Sequence, residues 1–371
     1  MTNRLNRVKS VARKVGGIRR LILILMAVSL GTTALLDFFV VEKIFGPLVY
    51  LYIALSTIVG LYVIYPLYAG RRLTKYYWVR VKRNRLAVCG LGFILFLILL
   101  ALIGPFFTAD PTAVSFEEKN IPPLGFTIEE SVYEPETEQF IAKTITATGE
   151  HPLGTDNKGR DLLAMIVSGA GVSLQVGLFA TGIALTIGTL IGVMSAYLGG
   201  KMDNILMRLT DVMMAFPFFL LLVFIVFIFG PNLAFIVLVI GLTGWTGAAR
   251  LIRSQTLSLR TREFVMASKA LGASDSRIIL AHLVPNVISL IIVMATLSIP
   301  GVILAEAALS FIGLGDPNVT SWGMVLRAGQ QSLDTTWWVA VVPGVMLFLT
   351  VLAFNFVGDG LRDAFDPRSA L

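Results

Sequence analysis

The chain has 371 residues, of which 56% are hydrophobic and only 14% charged, and its formal net charge is +7. Ordinary soluble domains carry roughly 25% charged residues, so the composition excludes that class and indicates a membrane protein. The basic excess follows membrane topology, and nucleic-acid binding is not read from it.

A span needs about 20 mostly apolar residues to cross a hydrocarbon core of about 30 Å. Eight segments qualify: Leu21–Val41, Leu48–Tyr68, Leu86–Phe107, Ile166–Leu198, Val212–Gly230, Leu233–Ala249, Val287–Phe311 and Trp338–Val357. Short loops rich in Lys and Arg stay in the cytoplasm. With the N-terminus inside, residues 1–20, 69–85, 199–211, 250–286 and 358–371 hold 24 of the 30 Lys and Arg, which predicts cytoplasmic N- and C-termini. The basic tail followed by Leu21–Leu36 also fits a signal peptide, but no clear small-x-small cleavage site follows, and an uncleaved anchor is expected.

The first 70 residues read as a basic tail and a hydrophobic hairpin. The connector "RRLTKYYWVRVKRNR", Arg71 to Arg85, alternates basic and aromatic residues, as an interfacial segment beside anionic lipid would. Cys89, the single cysteine, excludes a disulfide within the chain. Between Thr108 and Arg160, Pro111, Pro122 and Pro123 accompany Glu117, Glu118, Glu129, Glu130, Glu134, Glu136 and Glu138, making an extracytoplasmic segment too polar to insert. Within it "EQFIAKTITATG" alternates enough β-branched residues for one or two strands. A denser block of five spans, with no internal repeat, follows from Ile166 to Val357.

Enzymatic constellations are missing. His151 and His282, the two histidines, fall on opposite sides of the predicted bilayer, which excludes a HExxH zinc site. No GxxxxGK[ST] loop occurs, and "GTDNKGRD" at Gly154–Asp161 has its lysine in the wrong place and no strand before it. No catalytic residue, cofactor or metal site is expected. Glu306 is the clearest ionisable residue within a span, and its cost in hydrocarbon requires a partner across a helix interface or a place on a substrate path. Pro300-Gly301 can bend the same span near its middle, and Gly188 and Gly192 permit close helix approach.

Between two spans lies "TREFVMASKALGASDSRIILAHLVPN", Thr261 to Asn286. Thr261 is placed to cap a helix with Glu263 in its first turn, where the dipole favours a negative charge. Phe264, Ala267, Ser268 and Leu271 fall along one stripe of it. Gly272 stands where a left-handed residue closes a helix. Ser274 then caps a second helix through about Leu283, with Asp275 in its first turn and Ile278, Ile279 and His282 on one side, and Pro285 is expected to stop it. Two such short helices bury too little to stand alone. Either the lipid interface or another protein must cover their apolar faces.

The segment resembles the EAA loop of binding-protein-dependent ABC importer permeases, whose pattern is EAA, three residues, Gly, nine residues, I-x-L-P. Met266-Ala267-Ser268 stands at the EAA place, Gly272 is the glycine, and His282-Leu283-Val284-Pro285 follows after nine residues, with Met266 replacing Glu and Ser268 replacing Ala. "HPLGTDNKGRDLL", "EAALSFIGLG" with "SWGMVL", and "VGDGLRDAFDPR" are similar to the dipeptide/oligopeptide/nickel subfamily, C-type subunit, over about residues 80–371. That family usually begins with one span before the outer loop, so Leu21–Tyr68 is an additional hairpin.

The resemblance implies an all-α membrane protein: a polytopic bundle of about eight spans, with a type I importer-like core of five towards the C-terminus. Residues 1–85 would hold the tail, hairpin and connector, 86–165 the first family span and outer loop, and 166–371 the permease domain. It further implies a permease subunit of an ATP-driven importer in the cell membrane, with di- or oligopeptides as expected substrate and nickel as the alternative. Its partners would be a second permease subunit in a heterodimer, two ATP-binding subunits, an extracytoplasmic solute-binding protein and membrane lipid. Glu263, Ala267, Ser268, Gly272, Ala273, Arg277, His282 and Pro285 would form the ATPase-docking loop, and Glu306, Pro300 and Gly301 are candidates for the pathway or its gate. The competing class is a secondary carrier independent of ATPases, which calls for several intramembrane charges.

Overall fold

The structure is a computed structural model, and it describes residues 71–134 and 139–365. The predicted spans Leu21–Val41 and Leu48–Tyr68, and the basic tail, lie outside the described residues. The chain divides into two compact units, residues 1–83 with 363–371, and residues 84–362. In the first, α1 (Arg71–Arg83) carries the connector sequence, its Arg80 guanidinium donates to the Ala364 carbonyl at 3.2 Å, and Tyr77 lies 4.7 Å from the Phe365 ring.

The second unit opens with α2 (Arg85–Ile103), whose start is capped by the Asn84 side chain accepting from the Ala87 N–H. An outer loop follows and carries an antiparallel hairpin, β1 (Thr127–Glu134) against β2 (Gln139–Thr146), with Thr127 opposite Thr146. The β-branched stretch supplies one strand, β2, and its partner β1 lies before that stretch, where the alternation did not mark a strand. The chain then enters α3 (Leu162–Leu198), 37 residues or about 55 Å at 1.5 Å per residue. It outruns the hydrocarbon, as the length of the predicted fourth segment required.

The predicted span Val212–Gly230 is broken. α4 (Gly200–Ala215) and α5 (Phe218–Phe229) meet at 79° across Phe216 and Pro217. The cause is local: proline disfavours helical geometry in the residue before it, and Phe216 is extended at φ −85°, ψ 131°. α6 (Leu233–Thr243) and α7 (Thr246–Arg260) continue one another as a single span reaching eleven residues past the predicted Ala249. α8 (Glu263–Ala270) and α9 (Asp275–Ile278) form the loop, and a π turn over Ile279–Leu283 joins α9 to α10 (Val284–Phe311). α11 (Trp322–Gln331), which the sequence did not announce, and α12 (Trp337–Phe365) are the last elements among the described residues. Among the described residues five helical stretches are long and apolar enough to cross a membrane, and the bent pair makes six.

α3 is the axis on which the others pack. A Cβ at Gly188 would stand 2.7 Å from the Ala248 Cβ, and one at Gly192 2.6 Å from the Ala249 carbonyl, so both glycines are where α7 rests on α3. At the hairpin end of α3 a core forms around Leu162, Met165, Ile303, Trp322 and Trp338. The two indoles bury completely and satisfy their N–H groups on the backbone, Trp322 at Ile166 and Trp338 at Thr155, each at 3.0 Å.

Candidate functional site

The stretch Thr261–Asn286 lies at the far end of α3 from the hairpin. Thr261 does not cap the first helix: its hydroxyl donates to the Ser258 carbonyl, finishing α7, and Arg262 takes the extended cap position instead. α8 closes as a Schellman motif, with Gly272 at φ 76°, its N–H on the Lys269 carbonyl and the Ala273 N–H on the Ser268 carbonyl. The predicted left-handed glycine is therefore present, and beyond its two chain neighbours nothing lies within 4 Å of where its Cβ would be.

The second helix departs from expectation. Pro285 does not stop it. A proline has no N–H for the carbonyl four residues back, so the ladder widens, with the Val284 N–H reaching the Ile279 carbonyl. Pro285 then sits in the first turn of α10, directly after the widened turn that accommodates its missing donor. The Asn286 side chain donates to the His282 carbonyl at 2.6 Å. The loop helix and the span are thus one continuous element from Asp275 to Phe311.

The pair is two-faced. Val265, Ile278 and Leu283 are buried in a cluster with Leu185, Val193, Ala248, Ile252 and Leu259, so α3 and α7 cover one side. Of the predicted stripe, Phe264, Ala267 and Leu271 are exposed, Leu271 at 87%, and Ser268 is half-buried; Met266 and Leu280, outside the stripe, are exposed as well. The spacing located the stripe and could not say which side the chain would cover. Between the helices the Ser268 hydroxyl lies 3.3 Å from Nε2 of His282, and the His282 and Phe264 rings are 6.4 Å apart. Glu263, Ala267, Arg277 and Pro285 are exposed, and Ala273 half-buried.

Nearer the middle of the unit, a cavity of about 740 Å³ is lined by residues of α3, of the broken α4–α5 span, of α6–α7 and of α10. Its wall includes Thr181, Met213, Met214, Phe216, Ser298 and Gly301 and carries no charged side chain. Of the three pathway candidates, Gly301 lines it, Pro300 is buried within α10, and Glu306 is 1% exposed with Oε1 accepting from the Ser310 hydroxyl at 2.6 Å.

"GTDNKGRD" is a structural knot. Asp156 accepts from the N–H groups of Lys158 and Arg160 at 2.9 Å and pairs with the Arg160 guanidinium at 2.6 Å. Asp161 caps α3 through the Ala164 N–H and lies 3.1 Å from Nδ1 of His151. Gly154 and Gly159 have φ of 82° and 74°, and a Cβ at Gly159 would collide with the Ser115 carbonyl. The segment bonds both within itself and to its surroundings, Thr155 meeting Glu118, Ile121 and Trp338.

Sequence reasoning missed the polar contacts that attach the loop to its spans, because no periodicity announces a hydrogen bond between residues 78 positions apart such as Tyr197 and Asp275.

The family model described as binding-protein-dependent transport system inner membrane component matches residues 188–370, and the N-terminal TM domain of oligopeptide transport permease C matches residues 72–123. The chain is 38% identical over 300 residues to the oligopeptide transport system permease protein OppC of Haemophilus influenzae, covering 81% of this chain and 90% of that one. It is 38% identical over 294 residues to the dipeptide transport system permease protein DppC of Bacillus subtilis, covering 78% and 84%. Over 219 residues it is 40% identical to the OppC protein of Escherichia coli K12, covering 59% and 72%.

Proposed function

The chain belongs to the binding-protein-dependent transport system inner membrane components, as a multi-pass permease of the peptide-importer branch, and on that premise we propose how it works. It forms half of a translocation pathway for di- or oligopeptides, beside a second permease subunit. It docks one of two ATP-binding subunits through the loop from Arg262 to Pro285. An extracytoplasmic binding protein delivers the substrate, and ATP hydrolysis belongs to the partner subunits.

The observation that carries this reading is the two-faced loop. Its inner face is anchored on α3 and α7, while Phe264, Met266, Leu271 and Leu280 stand exposed beside the Schellman turn. A rigid apolar helix pair fits a groove in a partner protein. The continuous α9–α10 element supports the same reading, because displacement of a docked loop would reach a span without an intervening flexible link. The loop then lies in the cytoplasm and the hairpin outside, as the distribution of Lys and Arg requires. The neutral, methionine-containing cavity wall supplies an adaptable surface for the passing substrate. The peptide assignment rests on the names of the relatives.

Affinity purification in a mild detergent tests the assignment. Subunits bearing a P-loop are expected to come out with this chain, and a carrier working alone would come out without them.

A further inference from the structure

The last turn of α3 is held by three different elements through three consecutive residues. The Ser195 hydroxyl donates to the Asp203 carboxylate on α4. The Ala196 carbonyl accepts from the Arg260 guanidinium at the end of α7 at 2.7 Å. The Tyr197 hydroxyl donates to Asp275 Oδ1, the first residue of α9, at 2.7 Å. Asp203 is in turn held by both arms of Arg253 on α7, at 2.6 and 2.5 Å. Immediately beyond, Gly199 and Gly200 take φ of 66° and 55°, so the chain reverses from α3 into α4 over two residues that need no Cβ.

These contacts make a continuous route. The docking loop bonds to the tip of α3 through Tyr197, the tip bonds to α4 through Ser195, and the opposite end of α4 brings Met213, Met214 and Phe216 to the cavity wall. Tyr197 also packs in the apolar cluster that seats the loop, so its ring and its hydroxyl act at one point. We infer that Tyr197 and Asp203 are positioning residues that transmit displacement of the loop to the broken α4–α5 span and so to the pathway wall. The inference rests on the docking reading proposed above. It adds that the loop moves the cavity by two routes: directly along α10, and sideways through the tip of α3.

The test uses the complete importer, with its binding protein, reconstituted in liposomes and supplied with labelled trialanine. Co-purification of the ATP-binding subunit, the rate of ATP hydrolysis and peptide taken up per ATP are read separately. Tyr197→Phe removes one hydroxyl and keeps the ring, and Asp203→Ala removes both the acceptor for Ser195 and the ion pair with Arg253. In both, the ATP-binding subunit should still co-purify and hydrolyse ATP, while peptide per ATP falls about fivefold, the lower end for a coupling contact. Asp275→Asn keeps an acceptor oxygen for Tyr197 and should retain the wild-type ratio. An unchanged ratio in Tyr197→Phe, or a loss of complex with the ratio intact, would overturn the inference and leave the docking reading standing. A wild-type preparation without an ATP-binding subunit overturns the docking reading itself, and the inference falls with it.

Discussion

Trp338 donates its indole N–H to the carbonyl of Thr155, 183 positions earlier in the chain, at 3.0 Å. Thr155 is buried too; its hydroxyl donates to the Glu118 carbonyl at 2.6 Å and accepts from the Ile121 N–H at 2.9 Å. One residue thus ties the outer loop, the cap of α3 and the start of α12. Trp338→Phe keeps most of the packing but strands a buried carbonyl, which should cost about 1–3 kcal/mol. Trp338→Ala adds a cavity and should cost about 3–5 kcal/mol. Thermal unfolding in detergent, followed by fluorescence-detected size exclusion, measures both.

Close approach of α3 and α7 predicts a sharp contrast among glycines. Gly192→Val puts a side chain against the Ala249 carbonyl and should destabilise by about 1–3 kcal/mol as an overpacked contact. Gly92→Ala, on α2 with open space where its Cβ would lie, should stay within about 0.5 kcal/mol of wild type. The same unfolding assay ranks them.

Gly272 is left-handed with open surroundings, so only its backbone conformation resists a side chain. Gly272→Val should cost about 1–2 kcal/mol and distort the angle between α8 and α9. In reconstituted vesicles, ATP hydrolysis should persist while uptake drops. Uptake at the wild-type level would contradict the role given to this turn.

Glu306 is buried and bonded to Ser310, and it is not among the residues lining the cavity, although Val302 one turn earlier is. Glu306→Gln keeps an acceptor for the Ser310 hydroxyl and should preserve both expression and uptake. Glu306→Ala removes it and should lower the unfolding temperature, by an amount equivalent to about 1–3 kcal/mol. Loss of uptake in the glutamine variant at normal stability would instead place the carboxyl on the substrate path.

Much of the fold was readable because it depends on local chemistry. Among the described residues apolar run length marked the spans, Gly272 marked the end of α8, and the β-branched alternation before Gly149 marked β2. What escaped were features set by competition between elements. Val212–Gly230 is apolar enough for a straight span, but Pro217 imposes an extended residue before it and the span bends. Pro285 carries the same chemistry, yet the helix continues, because a π turn absorbs the missing donor before α10 begins. The site divided in the same way. Spacing grouped Phe264, Ala267, Ser268 and Leu271, whereas burial of Val265, Ile278 and Leu283 against α3 and α7 depends on partners elsewhere in the chain.

A photoreactive residue placed at Leu271, with a matched one at Val265, puts the docking assignment to its most direct trial in intact membranes. Leu271, at the C-cap of α8, is 87% exposed and Val265, within α8, 3%, so they sample the open and the covered side of the loop. Position 271 is expected to cross-link to a subunit bearing a P-loop, and position 265 only within this chain. Should position 271 capture nothing but lipid, or only this chain's own spans, the ATPase-docking role would be wrong.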